Sequence, residues 1–414
     1  MRRTPVHRTL LRHRLRAALA ALGVTLVAGT AAIASCSDST APVQFTAEPL
    51  DPQLVAQGKE IFRFDTFGDE QYWTDTLRMH EVIQKGVSPR AALGVGLKVD
   101  ADALPAAVKE AIAKGQVNLD DPAVTVTLLK LNAVLGVRGE VQTVNGRDTL
   151  VRMGITCALC HSTVDNSFAP GIGRRMDGWA NTDLNPGAIV SLSPAVPAAT
   201  KAVLGTWGPG KYDPRINIDG QDTPIVIPPA YGLHEVAAET FTADGPVSYW
   251  NAYVAVSQMH GHGSFSDPRL GISITQVPDL VTPKLAPLRQ YQLSLATPPA
   301  PAGSYDAAAA ARGRQVFDGA GRCVSCHQGT NFTDVNGGKL HAPAETGSDP
   351  RYAARTANKA YRTTPLRALW QHAPYFHDGS AKTLRDVVDH YDRVRTLGLT
   401  EQQKRDLVEF LKSI

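Results

Sequence analysis

Two copies of one five-residue pattern constrain this chain more than anything else in it: Cys157-Ala-Leu-Cys160-His161 and Cys323-Val-Ser-Cys326-His327. C-x-x-C-H is the attachment pattern for c-type haem. The spacing follows from the chemistry. Two thiols add across the two vinyl groups of a porphyrin, and the adjacent histidine reaches the iron from one face. Other uses of paired cysteines fit less well. A four-cysteine zinc ribbon needs its pairs close in sequence, and Cys160 and Cys323 stand 163 residues apart. A disulfide or a thioredoxin-like pair leaves the histidine that follows both pairs without a reason. The pattern predicts two covalent haems. Cys157, Cys160, Cys323 and Cys326 attach them, and His161 and His327 are iron ligands.

The fifth cysteine belongs to the N-terminus. Six arginines among the first sixteen residues lead into the apolar run "AALAALGVTLVAGTAAIAS", residues 17–35, which reads as an export signal. Ile33-Ala34-Ser35-Cys36 resembles a bacterial lipobox. It implies a lipid anchor on Cys36, a lipoprotein signal peptide over 1–35 and a flexible tether over 36–50. Ordinary cleavage after Ala34, leaving a free Cys36, and an uncleaved spanning helix are the alternatives. These readings place the chain outside the cytoplasm, in the periplasm or cell envelope. Without the six leader arginines, 42 basic residues against 39 acidic fall to a small acidic excess. That balance argues against a nucleic-acid partner.

The remaining chain is expected to be mainly α, with two cytochrome c-like haem domains. The second, 305–414, runs from the alanine-rich helix "YDAAAAARGRQVF" to the closing "TEQQKRDLVEFLKSI". There Thr400 and Gln403 form a capping box, and Leu407, Phe410, Leu411 and Ile414 share one face. "VAQGKEIF" (55–62) echoes "AARGRQVF" (310–317), pairing Gly58 with Gly313 and Phe62 with Phe317. The first domain, 51–290, therefore carries a large insertion before Cys157. Within it, 104–114 and 122–135 read as helices, and 139–153 as a hairpin about Asn145-Gly146. Residues 205–232 read as a loop-rich wrap over the first haem. The proline-rich stretch 291–304 reads as the linker.

The run Thr364-Pro365-Leu366-Arg367, then Pro374-Tyr375-Phe376-His377-Asp378-Gly379, then Thr383-Leu384 through Tyr391 resembles the bacterial dihaem cytochrome c peroxidases and MauG-type enzymes. One residue fewer separates Pro365 from Leu366 than in many members. The likeness is specific over about 305–414, loose over 150–190, and untraced through 62–150. It implies a peroxidase-like oxidoreductase that moves electrons between two haems, with hydrogen peroxide as an oxidant and a redox partner protein. It places Tyr391 on the iron opposite His327 and His377 near the haem edges as a catalytic group. It also implies a calcium ion between the haems, held by the carbonyls of His372 and Pro374 and by Asn185 or Asn181.

Helix geometry bears on Tyr391 separately. Leu384, Val387, Val388 and Tyr391 share one apolar face, and His390 lies about 100° around the helix from its neighbour. His390 remains the alternative ligand. A capped surface turn is the alternative for His377.

The family's Gly-Pro loop ending in Glu-Met, which supplies an acid–base group over the first iron, has no match here. "WGPGKYDPR" (207–215) lacks the glutamate; Glu235 is a candidate substitute, with an exposed helix face as its alternative reading. Met176, Met259, His260 and His262 stay open for the far side of the first iron. A haem whose iron is fully ligated on both faces, in a chain that only transfers electrons, is the competing function. Oxidation of an external partner through high-valent haem is a third.

Overall fold

The computed structural model describes residues 45–414. The expected signal peptide, Cys36 and most of the expected tether lie outside the described residues. Eight helices and one hairpin carry the argument. They are α1 (Pro52–Phe64), α2 (Ala106–Ala113), α3 (Pro122–Lys130), β1 (Val137–Val144), β2 (Arg147–Ile155), α4 (Val247–Ser257), α5 (Leu285–Ser294), α6 (Ala307–Asp318), α7 (Leu384–Arg395) and α8 (Glu401–Ser413).

Two helix crossings frame the molecule, and they are built alike. In α1, the Asp51 carboxylate caps the first turn by accepting from Gln53 N at 2.8 Å. In α6, Asp306 does the same for Ala308 N at 2.9 Å. Seven residues after each cap stands a glycine pressed against a facing helix. A Cβ on Gly58 would overlap the Pro287 carbonyl of α5, and one on Gly313 would overlap the Asp406 carbonyl of α8. Four residues further on, an aromatic ring meets another edge-on. Phe62 packs on Tyr291 at 5.4 Å and 63°, and Phe317 on Phe410 at 5.2 Å and 65°. The short sequence echo thus corresponds to the same crossing made twice.

This moves one boundary. The stretch expected to link the halves from residue 291 is helical through Ser294, with Leu293 and Tyr291 buried. The Tyr291 hydroxyl donates to Asp177 at 2.6 Å. The apolar spacing of Leu288 and Tyr291 carries the helix past residue 290. The irregular path begins at Leu295, just before the prolines at 298, 299 and 301.

The segment between α1 and Cys157 builds its own apolar core from Trp73, Met79, Val126, Leu129, Leu150 and Met153, and Leu159 of the first motif joins it. The hairpin forms where Asn145-Gly146 predicts it, with both residues at positive φ, 50° and 76°. Helix α3 stops at Lys130, short of the expected 135. Asn132 turns left-handed at φ 54°, and Val134 then bridges to Val99. The described residues, 45–414, form one compact unit. Buried ion pairs stitch its parts together: Arg355 meets Asp213 at 2.8 Å and Asp219 at 2.7 Å, with Asp213 fully buried. Among the described residues, no helix is long and apolar enough to cross a membrane.

Candidate haem sites

The hairpin delivers the first motif. Strand β2 ends at Ile155, whose N–H is held by the buried Asp69 carboxyl at 3.1 Å. Thr74 and Met153 exchange two further bonds, Oγ1–H to O at 3.1 Å and N–H to Oγ1 at 3.0 Å. The chain then turns through Thr156 into the short helix Ala158–His161. The second motif follows α6 directly. Arg322 takes a left-handed φ of 50°, and Cys323–Ser325 form a 3-10 turn.

The two histidines are held in the same way. His161 Nδ1 lies 3.0 Å from the Pro228 carbonyl, and His327 Nδ1 lies 2.8 Å from the Phe332 carbonyl. A carbonyl can only accept, so each Nδ1 carries the proton and each Nε2 presents a lone pair. Burial lowers the pKa of both imidazoles, which keeps them in the neutral, ligating form. The four motif cysteines are free thiols. Burial pushes Cys157 and Cys160 up to about 12 and Cys323 up to about 11. Cys157 and Cys160 pack on cores around Phe67 and Met153, and Cys323 on a separate core around Phe410. Each site thus offers two thiols and one Nε2-directed imidazole with its second nitrogen fixed, a donor set that fits covalently attached haem.

Helix α7 separates Tyr391 from His390. Tyr391 faces the second motif; burial pushes its hydroxyl up to about 12, with the Cys326 and Cys323 thiols adding to the effect of burial. Its hydroxyl makes no hydrogen bond among the described residues. His390 points elsewhere, with Nε2 2.8 Å from the Thr346 carbonyl. Phe376 of the Tyr-Phe-His run packs against both rings, at 6.0 Å from Tyr391 and 4.7 Å from His390.

His377 sits on a strip shared with the first motif. Its carbonyl accepts from Val226 N at 2.7 Å. Pro228, two residues along, accepts the hydrogen bond from His161 Nδ1. The His377 ring lies against Tyr361, with Nε2 2.9 Å from the hydroxyl, and burial lowers its pKa. The 205–232 segment therefore does reach the first motif, through Pro228.

Other expected groups scatter. Asn185 spends its side chain capping a helix, accepting from Ala188 N at 3.0 Å. Asn181 donates to the Gly96 carbonyl at 2.9 Å, and its buried oxygen has no partner. Met176 lies on the strand Arg175–Asp177, paired with Thr163 just after His161. Met259 is buried in the core that Cys157 joins. His260 stacks on Tyr72 at 3.6 Å, and His262 Nδ1 lies 2.6 Å from the Pro278 carbonyl. Glu235 is exposed.

Three features carried no sequence signal. Asp69 reads as a turn residue, yet it is fully buried, and burial raises its pKa to about 9. Tyr72 lies in a π-helix, Gln71–Thr76, a rare geometry that periodicity does not reveal. Asp334, His341 and Glu345 come together beside Cys326 although nothing in their spacing suggests it.

Fold and donor set together define a c-type cytochrome. A family profile described as "RoxA-like, cytochrome c-like" matches residues 360–397. Methylamine utilization protein MauG of Methylorubrum extorquens is 30% identical over 129 residues, covering 25% of this chain and 34% of that protein. Cytochrome-c peroxidase IdrP1 of Pseudomonas sp. is 30% identical over 149 residues, 25% of this chain and 39% of that one. MauG of Methylophilus methylotrophus is 25% identical over 283 residues, 63% of this chain and 76% of that protein. The chain thus matches little more than a third of the length of the first two relatives. The chain is thus similar to MauG and to cytochrome-c peroxidases over the parts these matches cover.

Proposed function

We propose that the protein is an exported dihaem c-type cytochrome acting as a peroxidase-like oxidoreductase. Haem held at Cys323, Cys326 and His327 would supply the site that takes electrons from a redox partner protein, and haem held at Cys157, Cys160 and His161 the site that passes them to an oxidant. The observation that carries this is the doubled arrangement: two Nε2-directed histidines, each in a unit framed by the same glycine–aromatic helix crossing. Cys157 and Cys160 would hold one haem and Cys323 and Cys326 the other. Haem supplies one-electron chemistry and a site for an oxidant. The chain supplies orientation: Pro228 and Phe332 fix the two imidazoles, and α7 carries Tyr391, which would be a ligand of haem held at His327. His377, whose carbonyl is bonded to the strip that ends at Pro228, would be the catalytic group near the haem edges. Residues 1–35 would direct export, and Cys36 would carry a lipid anchor.

A second reading, electron transfer without catalysis, draws support from the exposed position of Glu235, which leaves the missing glutamate without an evident replacement. One experiment separates the two. The pyridine haemochrome of the purified protein should give two haems per chain, and the oxidised protein should show a high-spin signal by electron paramagnetic resonance. Addition of peroxide to the reduced protein should reoxidise it. Two low-spin haems that peroxide leaves reduced would sink the peroxidase reading and leave the transfer reading standing.

A further inference from the structure

Beside the second motif lies a chain of three titratable groups with no part in holding haem. Glu345 is half-exposed, its side chain 53% accessible, and accepts from His341 Nδ1 at 3.0 Å. His341 Nε2 lies 3.0 Å from Asp334 Oδ2, and the Asp334 side chain is 2% accessible. The other Asp334 oxygen, Oδ1, is buried and has no hydrogen-bond partner. Cys326 Sγ, the Asp334 carboxylate and the His341 ring gather with ligand atoms within 4.8 Å of one another. The chain of groups thus runs from solvent, through an imidazole bonded at both nitrogens, to a carboxylate at the thioether position.

Both ring nitrogens of His341 face carboxylate oxygens, which can only accept. A neutral imidazole has one N–H and satisfies one of them; the imidazolium satisfies both. Burial opposes a charge on the ring, but the bonds to Glu345 and Asp334 outweigh it and raise the pKa. The other charged or titratable groups around the chain are few. His327 is neutral and Nδ1-bonded to Phe332. Arg395, at the end of α7, comes 4.0 Å from Cys326 Sγ and acts on Glu345. The neighbouring Tyr361 meets His341 only through the backbone, at 2.7 and 2.9 Å. No other acid or base contacts this ring among the described residues.

We propose that Glu345, His341 and Asp334 form a proton-exchange site that couples proton uptake to the electron occupancy of the His327 haem. This rests on the dihaem reading above. The balance is simple. One electron arrives from the redox partner, and one proton arrives from solvent through Glu345 and stays on the His341 imidazole. No covalent bond changes. Negative charge added to haem held by Cys326 would favour an imidazolium beside that cysteine, where water screens little. Asp334, with one oxygen on His341 and the other unpartnered, is the positioning residue that faces the haem.

The test is a spectroelectrochemical titration of the full, haem-loaded protein across the near-neutral range. In the wild type, one of the two potentials should fall as pH rises. The limit is one proton per electron, about 59 mV for each tenfold change in proton activity. His341→Gln should flatten that slope and leave the other haem's potential unchanged. Glu345→Gln, at the surface, should keep the slope but move its onset to lower pH, because a carboxylate that favours the imidazolium is gone. Pyridine haemochrome on each sample gives the haem count. Fewer than two haems per chain would remove the dihaem reading and the proposal with it. With two haems present, a flat wild type, or a His341→Gln protein that keeps its slope, overturns the proposal alone. So does a stoichiometric divalent metal in the purified protein, since it would make the cluster a metal site instead.

Discussion

Removal of one oxygen atom tests the assignment of Tyr391. A buried hydroxyl that donates to a protein carbonyl contributes about 0.5–1.5 kcal/mol net, while one without a partner only incurs desolvation. Tyr375 is the first kind: its hydroxyl donates to the Leu369 carbonyl at 2.6 Å. Tyr391 differs: it is half-buried, and its hydroxyl has no hydrogen-bond partner among the described residues to lose. Tyr375→Phe should therefore cost about 1 kcal/mol in urea denaturation and leave the haem spectrum alone. Tyr391→Phe should cost nothing in the haem-free polypeptide, yet change the optical and paramagnetic spectra of the loaded protein. His390→Ala gives the third point. It loses the bond to Thr346 and should be destabilised by about 1 kcal/mol with an unchanged spectrum. The reasoning fails if Tyr391→Phe leaves the spectrum as it was, or if His390→Ala is the variant that alters it.

Three further outcomes follow from geometry already described. Gly313→Ala should destabilise by about 1–3 kcal/mol through overpacking of α6 on α8, despite alanine's better helix propensity. Gly86→Ala, where nothing lies within 4 Å, should be neutral or stabilising in the same denaturation assay. Arg355→Leu should cost about 3–5 kcal/mol, because it strands the fully buried Asp213 carboxylate; a change under about 1 kcal/mol would contradict the ion-pair reading. Asp69 holds its proton to about pH 9 when folded and loses it near the ordinary carboxylate pKa when unfolded. The folded state therefore binds more protons between those values, and stability should fall as pH rises through that window. Asp69→Asn should flatten the fall, measured as urea midpoints at about pH 5 and pH 8.

The sequence spoke most clearly where covalent chemistry or local geometry sets residue identity. C-x-x-C-H fixes the cysteine and histidine positions. Asn145-Gly146 fixes a turn, and Thr400 with Gln403 fixes a helix start, as the bonds of 3.2 and 2.9 Å between them show. The face shared by Leu384, Val388 and Tyr391 was readable because a helix repeats every 3.6 residues. Long-range partners were not readable. His161 Nδ1 donates to the Pro228 carbonyl and His327 Nδ1 to that of Phe332, but no spacing announces a carbonyl. The counterpart of α8 in the first half, α5, was cut by the expected linker because its apolar stripe is shorter and a proline-rich tail follows. Asp69 and His341 look like ordinary polar residues until the fold removes the water from around them.

The strip from Val226 to Pro228 has a mechanical consequence. One end is fastened to the backbone beside His377, and the other receives the N–H of His161. An imidazole whose N–H bond to a carbonyl shortens gains electron density on its far nitrogen, and one whose bond lengthens loses it. A shift of the 372–379 loop by a few tenths of an ångström would therefore be felt at His161 as a change in donor strength. The peptide between them is pinned at Ile227, whose N–H donates to the Gly210 carbonyl at 2.9 Å, so it would act as a lever about that point, with the 372–379 loop on its outer arm and the His161 imidazole on its inner one.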